Sequence, residues 1–351
     1  MFPISAADSV SPAIQRTRDF LFRPFRWGTY LKLGLVAIVT EGLGANFHGS
    51  SQGGHSSGNG PMVNSPFDLR PEIVAGIVFA LLLALVVSMF VFYLITRLRF
   101  AFFHCLIHNT REIGPGWRLY REQASRFFWM NLGVGLSFLA VVVLIAIPFV
   151  RGFWRLFHET APGTMPNIGL MLALVLPLIP IILLLALAGF LVDMVLRDWM
   201  LPHYALDDAS AGEAWMEVWD RITAEKKQFV VYALLRIVLP TIAAVAMFMV
   251  LLIPGIALAG AFGAFEYGIH SAFADSTGGA AVAGIALQVF FGVIAFGLAL
   301  LVGICLGGPV STGLREYALI FYGGHYRALG DLLYPPAASA SLAGTGSPSV
   351  A

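Results

Sequence analysis

Six stretches of this chain stay apolar for long enough to cross a bilayer, and that bounds what it can fold into. They cover about 27–44, 73–96, 128–150, 168–196, 229–253 and 280–306. A spanning helix needs about 20 apolar residues for a hydrocarbon core of about 30 Å. Backbone in lipid must satisfy its own hydrogen bonds, so helices are the expected form. Composition agrees, with 58% hydrophobic and 12% charged residues, against about 45–50% and about 25% in soluble domains. The expected fold is all-α: a polytopic membrane bundle of six transmembrane helices forming one domain over 1–334. The first run is the shortest and carries Lys32 and Glu41, and a lysine near a helix end snorkels to the interface. The fourth contains Pro177 and Pro180, which each remove a backbone donor and predict a kink or tilt.

Orientation follows from the distribution of charge, because short loops rich in Lys and Arg stay cytoplasmic. Seventeen of the 21 Lys and Arg fall before or at the start of the first run, in the second and fourth connectors, or after the last run. Only Arg70, Arg151 and Arg155 lie on the opposite side, and Arg236 falls within the fifth run. Both termini are expected in the cytoplasm of a bacterial cell, with the chain multi-pass in the inner membrane. The N-terminal residues show no basic region leading into a short apolar stretch, so no removable signal peptide is expected. A net charge of +1 gives no reason to expect nucleic acid as a partner. Cys105 and Cys305 fall near the cytoplasmic side, where thiols stay reduced, and no disulfide is expected.

The connectors carry an internal repeat. At a shift of 103 residues, Pro12 falls on Pro115, Ile14 on Trp117, Arg18 on Arg121, Asp19 on Glu122, Arg23 on Arg126 and Phe25 on Phe128. A looser third copy covers 210–229 with Asp220-Arg221, and Arg315-Glu316 supplies a fourth. The spacing predicts three units, each an amphipathic cytoplasmic helix followed by a transmembrane hairpin. In the second copy Trp117, Tyr120, Ala124 and Phe127 form the apolar stripe, while Arg118, Arg121, Glu122 and Arg126 face water or headgroups. In the third, Ser210 and Glu213 form a capping box ahead of Trp215, Val218, Trp219 and Ile222. Residues 45–66 are Gly- and Ser-rich and read as a flexible external loop, and 335–351 reads as a disordered tail.

Chemistry-bearing constellations are sparse. His104 and His108 are spaced i, i+4, as two ligands on one helical face would be, but no third ligand joins them. His48 and His55 lie in a polar loop and read as solvated. The sharper candidates are the ionisable residues inside the apolar runs, Glu41, Asp193 and Arg236, because charge is costly in lipid and marks a pathway or a paired contact. Asp193 is one turn from Arg197 and falls at a depth similar to Arg236, so an Asp193–Arg236 pair between the fourth and fifth helices is expected. Small residues at Gly303 and Gly307, and at Gly255, Ala259 and Gly263, predict close helix packing. No nucleotide-binding, hydrolase or metalloprotease motif is present, and no cofactor is expected.

The segment MLPHYALDDASAGEAWMEVW, set in this arrangement of amphipathic segment and hairpin, resembles uncharacterised bacterial six-span membrane proteins. These are similar to the membrane domain of membrane-anchored glycerophosphodiester phosphodiesterases. The resemblance covers most of 12–322. It implies a membrane location and a bundle fold, and it carries over no activity and no site residue. The sequence therefore reads as a non-enzymatic scaffold or accessory subunit, in contact with membrane lipids and a membrane or cytoplasmic protein partner. A transporter or lipid-handling permease is the alternative, supported by the intramembrane charges and the repeat.

Overall fold

The computed structural model describes residues 5–46, 71–159, 168–273 and 279–334. Every regular element among them is a helix. In chain order these are α1 (Val10–Phe22), α2 (Trp27–Asn46), α3 (Pro71–Ile107), α4 (Ile113–Leu119), α5 (Arg121–Glu159) and α6 (Ile168–Met194). A π-helical turn over Val195–Met200 follows, then α7 (Leu201–Leu206), α8 (Ala211–Ala224), α9 (Lys226–Phe273), α10 (Gly279–His325) and α11 (Arg327–Leu333). The loop expected over 45–66, beyond the Asn46 end of α2, and the tail over 335–351 lie outside the described residues.

Five helical stretches are long and apolar enough to cross a membrane: Val74–Ile107, Arg121–Leu156, Ile168–Leu206, Lys226–Phe273 and Val282–His325. α2 forms where the first run is expected but is not among them. The helices run well past the apolar runs that predict them. The fifth run, read as ending at Ile253, continues as helix through Pro254 to Phe273. α5 likewise contains Pro148, and α6 contains both Pro177 and Pro180. Where lipid offers no competing hydrogen-bond partner, a lost backbone donor does not end a helix as it does in water.

Contacts group the chain into two compact units, each discontinuous in sequence. The first comprises Met1–Gly42, Leu106–Arg111 and Trp219–Ala351, and the second Leu43–Cys105 and Glu112–Val218.

The first unit is organised by the α9–α10 hairpin, with α1 and α11 packed on α10. Its core is aromatic: Tyr232 stacks on Tyr317 and Phe321, and Phe229 meets Phe321 edge-on. α2 and α10 approach closely, since a Cβ added at Gly308 would stand 2.7 Å from the Gly34 Cα. The close approach expected at Gly303, Gly255 and Gly263 is absent, because a Cβ at any of them meets open space, while Gly307 abuts Ile38. The spacing of small residues marks a face that permits approach and does not say which face a neighbour takes.

The second unit packs α5 on α6, with α7 also against α5. Its core gathers Phe100, Phe102, Phe103, Ala124, Phe127, Trp199 and Tyr204. The stripe predicted for the second connector is present: Tyr120, Ala124 and Phe127 are buried while Arg118, Arg121, Glu122 and Arg126 are exposed. It divides at Tyr120, however, so Arg121, Glu122 and Arg126 belong to the first turns of α5. Arg315-Glu316, read as a fourth connector copy, lies within α10 and is buried. In the third connector the capping box forms, with the Ser210 N–H donating to Glu213 Oε2 at 2.9 Å and the Glu213 N–H to Ser210 Oγ at 3.4 Å.

Most of the buried residues of each unit lie toward one end of its long helices, with Leu156 and Ile269 buried near the other. In the most apolar 18-residue window of each of the five candidate spans, no residue is buried. The buried runs lie instead at the Arg-rich ends, and three of them include an arginine near their start: Arg99 in α3, Arg197 in the π turn and Arg315 in α10.

Candidate functional site

The three intramembrane charges do not converge. Arg236 on α9 donates from Nη2 to Glu41 Oε2 of α2 at 2.8 Å, and from Nη1 to the Leu314 carbonyl of α10 at 3.0 Å. The side chains of Arg236 and Glu41 are only 3% and 7% exposed. One guanidinium thus ties three helices of the first unit, with its charge neutralised out of reach of solvent. Asp193 is not its partner, contrary to the pairing expected from depth. Its carboxylate lies 3.5 Å from Arg197, one turn along the same chain segment, inside the second unit. Similar depth is necessary for a pair and does not select it; Glu41 is 195 residues from Arg236, and nothing in local spacing reveals it.

A second arginine–carboxylate contact, between a half-buried arginine and a buried carboxylate, organises the first unit near its termini. Arg16 on α1 lies 3.1 Å from Glu316 Oε2 through Nε, and donates from Nη2 to the Leu106 carbonyl at 2.7 Å and from Nη1 to the Leu333 carbonyl at 3.0 Å. Arg111 closes the C-terminal end of α1 by donating to the carbonyls of Phe20, Arg23 and Pro24. These bonds satisfy carbonyls that a helix end leaves without intrahelical partners. Both arginines read in the sequence as part of a general positive tally, whereas in the fold each bonds specific backbone oxygens.

The second unit holds a cleft of about 630 Å³ between α3, α5 and α6. It is polar at one end, where Arg99, Asn131 and Asp193 lie, and apolar toward Leu85, Phe138, Leu139 and Val142. Arg99 is buried, and the Asp193 side chain is 31% exposed while it pairs with Arg197. Such a volume falls within the range of small-molecule sites, and its polarity gradient matches an amphiphile. Nearby, the Arg97 guanidinium lies over the Trp117 ring at 4.4 Å and donates to the Trp117 carbonyl at 2.9 Å, fixing α4 against α3.

One cluster in the same unit has no counterpart in the sequence reading. His203 of α7, Asp207 just beyond it and Glu217 of α8 bring three ligand-type atoms within 4.8 Å of one another. The signal was present in part, since His203 and Asp207 are spaced i, i+4, but Glu217 joins them only through the turn between the two helices. The His104–His108 spacing, by contrast, yields no shared face: α3 ends at Ile107, and the His104 ring packs against Tyr120 with centroids 5.8 Å apart. His48 and His55 lie outside the described residues.

Long apolar helices, charge neutralised within the fold and a cleft open at the level of the spans define an α-helical membrane-embedded protein. Within that class, the chain belongs to a family of unknown function, DUF7544, whose model matches residues 4–332. That match brings no link to glycerophosphodiester phosphodiesterases. No curated protein and no solved structure matches the chain.

Proposed function

We propose that the protein is a non-enzymatic scaffold or accessory subunit of the bacterial inner membrane, with its N- and C-termini cytoplasmic. The carrying observation is that no residue in the most apolar window of any of the five spans is buried. A membrane protein whose spans pack mainly on one another buries one face of each. Spans whose most apolar stretches bury no residue leave those faces to lipid and to the helices of other proteins. Phe79, Ile253 and Phe296 are examples, at 68%, 79% and 70% exposure. The sealed Glu41–Arg236 pair supports the same reading, since a charge neutralised by a fixed partner holds helices together and offers a substrate nothing.

α2 completes a sixth crossing in this reading, and the three buried runs that include Arg99, Arg197 and Arg315 are the ends of three repeated hairpins. The similarity to the membrane domain of glycerophosphodiester phosphodiesterases enters only as a likeness of architecture. A photocrosslinking residue at position 79, 253 or 296 in native membranes tests the assignment. Adducts of discrete protein mass are expected; adducts to lipid alone would overturn it. Alkaline phosphatase fused at residue 60 should be active, and fused at the C-terminus inactive.

The cleft favours a second reading, lipid handling. A Cβ at Gly135 meets open space, so Gly135→Trp would project into the cleft. If a lipid occupies it, native mass spectrometry should show one fewer retained lipid in this variant.

A further inference from the structure

We infer that His203, Asp207 and Glu217 form a binding site for a divalent first-row transition cation, in the class of Zn²⁺ or Mn²⁺, at the end of the fourth span. The geometry carries this. His203 Nδ1 lies 3.0 Å from Asp207 Oδ2 and 3.3 Å from Glu217 Oε2. Metal–nitrogen and metal–oxygen bonds of about 2.1 Å place adjacent ligands about 3.0 Å apart in an octahedral site and about 3.4 Å apart in a tetrahedral one. Both separations fall in that interval and the two carboxylate oxygens lie within 4.8 Å of each other, so a cation can be seated against the three atoms in place of the hydrogen bond between His203 and Asp207.

Charge and donor type agree with the distances. A neutral imidazole and two carboxylates together carry two negative charges, which a divalent cation neutralises. One nitrogen and two oxygens suit a borderline first-row ion better than Ca²⁺ or Mg²⁺, which take oxygen alone. His203 is fully buried, whereas the Asp207 and Glu217 side chains are 38% and 49% exposed. The imidazole is therefore held on the protein side, while the carboxylates leave the remaining coordination positions open to water.

The turn that brings the ligands together is fixed at both ends. Behind it, the backbone N–H groups of Asp207 and Ala209 both donate to the His203 carbonyl, at 3.0 and 3.4 Å. Asp208 takes the left-handed conformation at φ 54°. That sends its side chain to Arg126 and leaves Asp207 as the carboxylate beside the imidazole. Ahead of it, the Ser210–Glu213 capping box starts α8, so Glu217 follows one turn later on a settled helix. Ligands positioned before binding lose little conformational freedom on binding, and that favours affinity.

The test uses the full chain in mild detergent, stripped with chelator and then titrated with Zn²⁺, and separately with Co²⁺ as a spectroscopic probe. His203 is in the core, so the informative variants are D207N and E217Q, which alter exposed side chains. H48N/H55N removes the two histidines of the Gly-rich loop. One equivalent of Zn²⁺ should bind in the native chain and equally in H48N/H55N. D207N and E217Q should each weaken it by at least about 10- to 100-fold, the loss seen when even outer-shell partners of a metal are removed. The same two variants should abolish the Co²⁺ absorption bands and any rise in Tm on adding Zn²⁺. No uptake, uptake unaffected by D207N and E217Q, or uptake lost in H48N/H55N would each overturn the assignment.

Discussion

Among the arginine–carboxylate pairs of the described residues, two that involve the charges inside the apolar runs differ in kind. Arg236 and Glu41 join residues 195 apart and are almost inaccessible. Arg197 and Asp193 are one turn apart, and the carboxylate is 31% exposed on a cleft. A pair at i, i+4 forms within its own helix and says little about tertiary structure. A sealed pair between distant helices forms only when those helices have assembled, so it reports the fold. The first unit spends its intramembrane charge on holding α2, α9 and α10 together; the second leaves its charge at the edge of a space that another molecule can enter.

The largest effect should come from breaking the sealed pair. Glu41→Gln leaves a guanidinium buried without its counter-charge and should cost about 3–5 kcal/mol, read as thermal or denaturant stability in detergent. Replacing both residues by leucine should be milder than Glu41→Gln alone. If the double replacement costs as much as the sum of the two single ones, the pair does not couple. Next comes the close approach of α2 and α10. Gly308→Ala should destabilise by about 1–3 kcal/mol, since the added carbon meets backbone. Gly303→Ala, five residues earlier and facing open space, serves as its silent control.

Smaller effects belong to the second unit. Ser210→Ala removes the cap of α8 and should cost about 1 kcal/mol. The Glu213 carboxyl sits below its ordinary value of 4.5 because it accepts from the Ser210 backbone N–H and hydroxyl. Its folded value is the lower one, so its contribution is complete above the ordinary value and is lost as pH falls through the lowered one. Glu213→Gln should flatten that part of the acid-stability curve. The smallest change is expected from Asp193→Asn, about 0.2–1 kcal/mol, as for a partly exposed pair. A loss as large as that of Glu41→Gln would end the distinction between sealed and open pairs.

Much of the fold was legible because it depends on local pattern. The apolar runs predict helices at the right places, the stripe through Tyr120, Ala124 and Phe127 predicts the buried face of the second connector, and S-x-x-E predicts the cap at Ser210. Helix ends were less legible, because an apolar run marks the part of a helix that lies in lipid, and α9 continues through Pro254 to Phe273. The partner of Arg236 was misread for a different reason: residue count places Glu41 near the outer end of its run and Arg236 near the inner end of its own, and neither depth nor the side of the helix is fixed by counting along separate runs. The His203 cluster escaped notice because its third member arrives across a turn. The buried placement of Arg99 and Arg315, and the backbone bonds of Arg16, were hidden inside a charge tally that treats every arginine as solvated.

The π-helical turn over Val195–Met200 bears on this last point. In such a turn the backbone bonds reach one residue further than in an α-helix, so the segment holds more chain than its length requires. Each residue of an α-helix advances the side-chain direction by about 100°. The wide turn therefore acts as a phase shift between the membrane-crossing part of the chain and α7 beyond it. Removing a single residue there would leave both helices intact and rotate His203, together with the turn and α8 that follow it, by about a quarter-turn relative to α6. The length of this one turn sets where the imidazole points, and a change of one codon would uncouple the two ends of the span without touching a ligand.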